Sequence, residues 1–536
     1  MSRLIYKTTH VIGRFHVLQK VDIRTHERSE EQGKQEIMDI SKAKRVAVIG
    51  AGISGVATAA HLKNAGIDVT VFERNRESGG CWIYDERIPI EPTYPAIKPS
   101  VADSIYVDSK EANFDKLALR DLQHAPPGPC YVGLKNNVAT RLMKTTLNDW
   151  PSGTPDYVSH HVLKDYIQET SRINGVDALT IYGARVVDLI KGPTDKQWDL
   201  RFTTLRRDSL NSKVEEQERS LKFDHVVIAS GHYHSPRIPD IPGLKEWKQR
   251  WPSRVWHSKS YRKPDEFRGK NVLLVGAGTS STDIARELGP LAKNVYQSHR
   301  NGKFDHPASM LPENAIRVSE VQSFDLNDHE ETSGSQPSNS EPTGSTITLK
   351  SGERLCNIDY VILCSGYHVA LPFLRRLHED DTLPSEASET VLVTNGEQLH
   401  NLHKDIAYIP DPTLLFVGVP YFTATFTLFE FQAIVVAQVL SGKADWPDEQ
   451  AMREEYRQRV IHKGFGKPFH SLRGVEVDYV NELLGWVNAQ GEARGAKRIE
   501  GHTEEWHQAK AEFNERLKKI FEGTGIVAEP IALPSC

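Results

Sequence analysis

Arg45-Val46-Ala47-Val48-Ile49-Gly50-Ala51-Gly52-Ile53-Ser54-Gly55 is the stretch on which the fold turns. Its first five residues are a short apolar run, the pattern of a parallel strand covered on both faces. Val56 to Ala65 has helical composition, Gly66 supplies a stop, and a second apolar run, Val69 to Phe72, ends in Glu73. Strand, glycine turn, helix, strand and acid fall within the roughly 30 residues of a dinucleotide-binding βαβ unit. Each residue type meets a requirement. Gly50 permits the tight turn, Gly52 admits a diphosphate without a Cβ in the way, and Gly55 lets helix and strand pack closely. The helix opening at Ile53 and Ser54 presents N–H groups and positive dipole to the anion. Glu73 stands where a carboxylate accepts hydrogen bonds from ribose hydroxyls, and its charge would repel a 2′-phosphate. FAD or NAD fits this unit and NADP does not; the plain alternative is a glycine turn without a ligand.

The pattern recurs at Asn271-Val-Leu-Leu-Val275-Gly276-Ala-Gly278-Thr-Ser280-Ser281. A helix is predicted from about Ser281 to Leu288, stopped by Gly289-Pro290, and the strand Asn294 to Gln297 leads into Ser298-His299-Arg300. No acid ends this strand. Arg300, with Ser298, takes the place of Glu73, and a guanidinium there can grip a 2′-phosphate bidentately. Gly276, Gly278, Ser280, Ser281 and Asp283 are the remaining expected contacts. Ser281 replaces the third glycine, so helix and strand should pack slightly wider. The opposed end charges imply FAD at the first cradle, NADPH at the second, and hydride passing between them.

Other segments organise around these two units. Gly79-Gly80-Cys81-Trp82 is read as a turn passing close to a flavin, against the alternative of a plain turn with a core tryptophan. Asp224-His-Val-Val-Ile-Ala-Ser230-Gly231 and Asp359-Tyr-Val-Ile-Leu-Cys364-Ser-Gly366-Tyr367 share a strand-then-small-turn pattern on either side of the second unit. They are expected to be crossing points of an inserted domain. The fold class is thus α/β with two Rossmann-like domains: residues 44–232 and 360–536 bind FAD, the inserted 233–359 binds NADP, and 1–43 form an N-terminal extension expected to be flexible. Arg206 to Ser220 and Ser323 to Ser345 read as polar surface excursions.

Composition excludes several classes. The chain has 536 residues, with 66 basic and 71 acidic side chains spread along it, a net charge of −5. Nucleic acid is therefore a poor partner. The five cysteines are scattered without a C-x-x-C, which disfavours zinc, a redox dithiol and a secreted disulfide frame. Cys81 beside the flavin turn invites a disulfide-reductase reading, but the next cysteine is Cys130. Arg3, Lys7, Arg14 and Lys20 lie in an acid-free opening, so a mitochondrial presequence stays open beside the cytoplasmic expectation. Thr413 to Leu440 carries Glu430 as its sole charge and is long enough to span a bilayer, but Pro420 and its threonines predict a strand, a loop and a core helix.

On these motifs the chain resembles the flavin-containing monooxygenases, class B single-component enzymes, from about Arg45 to Gly442, and looks closest to the fungal branch. The family fingerprint F-x-G-x-x-x-H-x-x-x-Y stands here as Trp251-Pro-Ser253-Arg-Val-Trp-His257-Ser-Lys-Ser-Tyr261, with Trp for Phe and Ser for Gly. Cys364-Ser-Gly366-Tyr367, Pro239 to Gly243 and Tyr408 to Thr413 are also family-like. Leu134-Lys-Asn136-Asn137-Val138-Ala-Thr-Arg-Leu142-Met143 resembles the stretch holding an active-site asparagine. The resemblance makes Asn137 its counterpart and the catalytic residue, Asn136 the fallback if the register slips, and Asn136 and Val138 cofactor neighbours; a turn asparagine without a role is the alternative. Ala139 replaces the usual proline.

The resemblance implies a FAD- and NADPH-dependent monooxygenase. It would form a C4a-hydroperoxyflavin with O₂ and oxygenate a nucleophilic nitrogen or sulfur of a small molecule, as in the tailoring of a secondary metabolite. It leaves a homodimer open. His257 and Tyr261 read as domain-orienting rather than acid–base groups. A Baeyer–Villiger monooxygenase is the nearest rival, although its fingerprint usually ends in Trp-Pro or Trp-Asp and this one ends in Tyr261-Arg262. An NADPH-dependent flavin reductase is the rival of another class. The aromatic stretch Tyr421 to Phe431 is divided between core packing and a substrate pocket.

Overall fold

The computed structural model describes residues 44–101, 116–194, 196–207, 214–326 and 345–521. The extension 1–43 and the excursions 208–213 and 327–344 lie outside the described residues.

Strand Arg45–Ile49 lies inside a seven-stranded sheet, with strands on both sides. Its side chains alternate between two cores, as a two-residue period requires. Val46 and Val48 pack with the helices Ile53–Asn64 and Thr425–Leu440; Ala47 and Ile49 pack with Leu200, Phe202 and Phe223 on the opposite face. Asp68–Glu73 and His225–Ile228 flank it in parallel. Leu414–Phe416 adds a further parallel strand, and Ala407–Tyr408 and Leu402–His403 finish that edge antiparallel. The second face is covered by a three-stranded antiparallel sheet, Ala184–Lys191, Trp198–Arg207 and Val214–Phe223. This corrects the expectation of a surface excursion from Arg206 to Ser220. Glu215 to Ser220 are exposed, whereas Val214 and Phe223 at the strand ends are buried.

The second unit is a five-stranded sheet, parallel throughout, in the order Ala315–Val318, Asn294–Ser298, Asn271–Val275, Tyr360–Leu363, Val255–His257. Again the central strand serves two cores. Val272 and Leu274 meet helix Thr279–Leu288, and Leu273 meets Trp247, Phe324 and Ile347. The helix begins two residues before its expected start, directly after Gly278. Burying each such aliphatic side chain contributes roughly 1.5–3 kcal/mol.

The two halves repeat one fastening. Asp224 Oδ2 accepts from Arg45 N–H and Asp359 Oδ2 from Asn271 N–H, both at 2.8 Å. Each acid precedes a strand laid beside the first strand of its unit. Tyr360–Leu363 belongs to the second sheet, so the return crossing lies after Leu363 rather than at residue 360, where the sequence placed the boundary. There Tyr367–His368 pairs antiparallel with Ser235–Pro236, setting the outward and return crossings side by side. The Thr413–Leu440 segment is a strand, a loop and a 16-residue helix. Among the described residues no helix is long and apolar enough to cross a membrane.

Candidate active site

Both glycine cradles open onto one cavity of 2350 Å³. In the first, Gly50 has φ +107°, and a Cβ on Gly55 would lie 1.8 Å from Gly50 O. The turn thus accepts no side chain at Gly55, and the bare helix N-terminus at Ile53 and Ser54 stays free of a side-chain cap. Such a terminus suits a diphosphate. Glu73 is buried at the strand end. Its Oε2 accepts from Ala51 N–H at 2.7 Å and its Oε1 from Asn75 N–H at 2.8 Å, which fixes the carboxylate at the cavity wall. Gly80–Trp82 form one 3₁₀ turn over this cradle, hung from it by Gly79 N–H on Ala51 O at 3.0 Å. Burial pushes the Cys81 thiol up to about 11 and the Cys130 thiol up to about 12, and both are free. Neither is poised as a thiolate.

The two neighbouring asparagines separate cleanly. Asn136 is buried. Its Oδ1 accepts from Val158 N–H at 2.6 Å, and its Nδ2 donates to Val138 O and Asp156 O, both at 2.7 Å. Its donors are spent on shaping the loop. Asn137 is exposed at the cavity wall. Val138 is half-buried beside the core, and Met143 behind the loop is buried. The carbonyl of Leu142 takes hydrogen bonds from Thr427 and Trp506.

In the second cradle Gly276 repeats Gly50, with φ +118° and a would-be Cβ 2.6 Å from Cys364 O. Around Gly278 nothing among the described residues lies within 4 Å of a would-be Cβ. Ser280 is exposed at the cavity. Ser281 is buried and accepts from Gln297 Nε2 at 2.5 Å, which occupies the space a third glycine would leave. Asp283 lines the cavity and accepts from Tyr131 OH at 3.3 Å; burial raises its carboxyl above the usual range. Ser298 Oγ is committed to Ser319 O at 3.0 Å. Arg300 is exposed at the cavity edge, and no carboxylate pairs with it among the described residues.

The fingerprint residues brace the second unit and its return turn, and the adjoining Arg262 ties that unit to the first. Lys259 N–H donates to His257 Nδ1 at 3.1 Å, so Nε2 carries the proton and donates to Gly366 O at 3.0 Å. Burial lowers this imidazole to about 3, which keeps it neutral. Tyr261 OH donates to Glu287 Oε2 on the second helix at 2.7 Å, and buried Arg262 donates to the carbonyls of Arg87, Lys259 and Tyr261.

Several cavity residues carried no readable signal. His232, Tyr233 and His234 lie between strand His225–Ile228 and the outward crossing at Ser235–Pro236; His232 Nε2 meets Gly418 O at 2.6 Å and His234 pairs with Arg74. Lys467 reaches the cavity from a Gly-Phe-Gly-Lys-Pro turn near the C-terminal end. The aromatic stretch divides. Phe426, Phe429 and Phe431 join the core, while Phe422, with φ +57°, stacks on Phe304 of the second unit at 5.4 Å.

Residues 129–307 match the flavin-binding monooxygenase-like family and 48–95 the NAD(P)-binding Rossmann-like domain. The chain is 47% identical over 493 residues to flavin-containing monooxygenase ustF2 of Aspergillus flavus, covering 88% of this chain and 98% of that one. It is 41% identical to ustF1 of the same organism, covering 88% and 90%. The fold is also that of S-allyl-L-cysteine S-oxygenase from Allium sativum, with a TM-score of 0.63 at 23% identity, covering 89% of this chain and 93% of that one.

Proposed function

This chain belongs to the flavin-containing monooxygenase family, an oxidoreductase with FAD and NADPH as cofactors and O₂ as co-substrate, and we propose that it oxygenates a nucleophilic nitrogen or sulfur of a small metabolite. The observation that carries this reading is the pair of cradles facing one cavity with opposite ends, Glu73 on the first and Arg300 on the second. We place FAD on the first and NADPH on the second. Gly50, Gly52, Ile53, Ser54, Gly55 and Glu73 would hold the FAD diphosphate and ribose, with Gly80, Cys81 and Trp82 over the ring. Gly276, Gly278, Ser280, Asp283, Ser298 and Arg300 would hold NADPH, while Ser281, expected as a contact, is buried behind the helix start and stays off the cavity.

The bound flavin, reduced by NADPH, supplies the oxygen chemistry. The chain's own work is positioning and exclusion. Asn137 is an uncharged donor, so it can hold an oxygen or an amide with its N–H while having no proton to release. The buried Cys81 thiol stays protonated and offers no competing nucleophile. The Tyr261–Glu287 bond braces the second unit internally, and Arg262, donating to Arg87 O at 3.0 Å, ties it to the first.

The test is aerobic turnover with NADPH on thioether, amine and ketone panels, with hydrogen peroxide measured alongside. Sulfoxide, N-oxide or hydroxylamine formed in step with NADPH consumption is the expected result. Ester from ketone without N- or S-products would overturn it in favour of Baeyer–Villiger oxygenation.

A further inference from the structure

We propose that Lys467 binds a phosphate of the dinucleotide at the second cradle, an inference that rests on placing NADPH there. Lys467 lines the shared cavity, its Nζ 4.0 Å from the position of a Cβ on Gly366 in the turn that leaves the second sheet. Arg237 and Arg300 border the same space. Arg237 is satisfied by Glu397 at 2.7 Å. No carboxylate pairs with Lys467 or Arg300 among the described residues, so three cations meet one acid. Burial, with the charge of Arg237 and then that of Arg300, pushes the Lys467 ammonium below its ordinary pKa; only Glu397 opposes this. A half-buried cation among like charges is unfavourable until an anion arrives. Phosphate, with several charged acceptor oxygens, fits such a cluster.

The turn carrying Lys467 is built to hold it out. Gly464 and Gly466 take φ +70° and +82°. Gly466 N–H donates to Gln398 Oε1 at 2.7 Å, and Phe469 N–H closes the turn on Gly466 O at 3.0 Å. His470 Nε2 accepts from Leu399 N–H at 2.9 Å, while its Nδ1 meets buried Asp405, which Arg459 holds at 2.6 Å. Both ends of the turn are thus fixed to a buried network, so less chain freedom is lost when an anion binds. Because Lys467 follows the inserted unit in sequence, it would clasp the nucleotide from the FAD-binding side.

The full-length FAD-loaded protein is reduced without oxygen by NADPH and, separately, by NADH, in stopped flow. Lys467→Gln should weaken NADPH binding about tenfold. The limiting rate of flavin reduction should stay within about threefold, and Lys467→Arg should restore most of the affinity. A loss confined to NADPH assigns the 2′-phosphate; equal losses for both nucleotides assign the diphosphate. Unchanged NADPH affinity in a Gln variant that retains flavin overturns the proposal. Lys467→Met, which keeps the aliphatic stem, carries the same test should the Gln variant fold poorly. Since neither O₂ nor substrate enters, normal reduction with no oxygenated product under turnover would break the oxygenation reading and leave this one standing.

Discussion

At Gly52 the first cradle is covered: Gly80 Cα lies 3.5 Å from a would-be Cβ, and Gly79, which leads into the Gly80–Trp82 turn, donates its N–H to Ala51 O. At Gly278, the matching position of the second cradle, nothing among the described residues lies within 4 Å. The end groups differ in the same sense, with Glu73 buried and doubly bonded and Arg300 exposed and, among the described residues, without an acid partner. One scaffold has thus been finished twice, once as an enclosed holder and once as an open dock. An enclosed holder suits a cofactor that stays through turnover; an open dock suits a nucleotide that must arrive, deliver hydride and exchange.

The sharpest way to break this comparison is Gly55→Ala. Its Cβ would collide with Gly50 O, so the turn must open. Backbone strain and lost packing together should cost roughly 3 kcal/mol or more. The variant should purify with little flavin, read as the ratio of visible to protein absorbance. Gly278→Ala should keep its flavin and lose NADPH affinity instead; flavin loss in both would erase the distinction.

Next in size is Arg300→Ala. Losing a charge-assisted phosphate contact should weaken NADPH by about ten- to a hundredfold and NADH little, as binding titrations without oxygen would show. Parallel losses would mean that the guanidinium does not read the phosphate.

Asn137→Ala tests the wall of the cavity that the holder and the dock share. Flavin reduction by NADPH should persist, while about a tenfold larger share of the NADPH consumed emerges as hydrogen peroxide, an effect near 1.4 kcal/mol. Unaltered coupling would remove Asn137 from the chemistry.

The smallest effect concerns pH. His257 is held near 3 by burial, against about 6.5 when unfolded, so below pH 6.5 the unfolded chain takes a proton that the folded one refuses. Its contribution to stability is complete above pH 6.5 and is lost as pH falls toward 3, by at most about 1.4 kcal/mol per unit. His257→Gln should flatten that acid limb in denaturant titrations, and an unchanged slope would place the titrating group elsewhere.

Both cradles were legible because their demands are local: Gly50, Gly55 and Gly276 answer to atoms a few residues away or on an adjoining strand. Glu73 and Arg300 were legible as the ends of the next strands. The antiparallel sheet over the first core was not, because Glu215 to Ser220 face solvent and their charge masks a strand. The boundary at residue 360 was misplaced for another reason. Tyr360–Leu363 has the same apolar pattern whichever sheet it joins, and strand pairing alone decides. Lys467 and the choice between Asn136 and Asn137 depend on contacts between distant segments, Gly466 with Gln398 and Asn136 with Val158. No spacing encodes these.

The antiparallel pairing of Ser235–Pro236 with Tyr367–His368 has a consequence for how such a chain can be rebuilt. The nucleotide unit starts and finishes about one strand spacing apart, roughly 5 Å. A segment whose two ends are neighbours asks little of its host, since closing so short a gap costs little entropy. It can be cut out at the ribbon, sealed with a tight turn, or exchanged for another such unit, while the strands that build the first cradle keep their register.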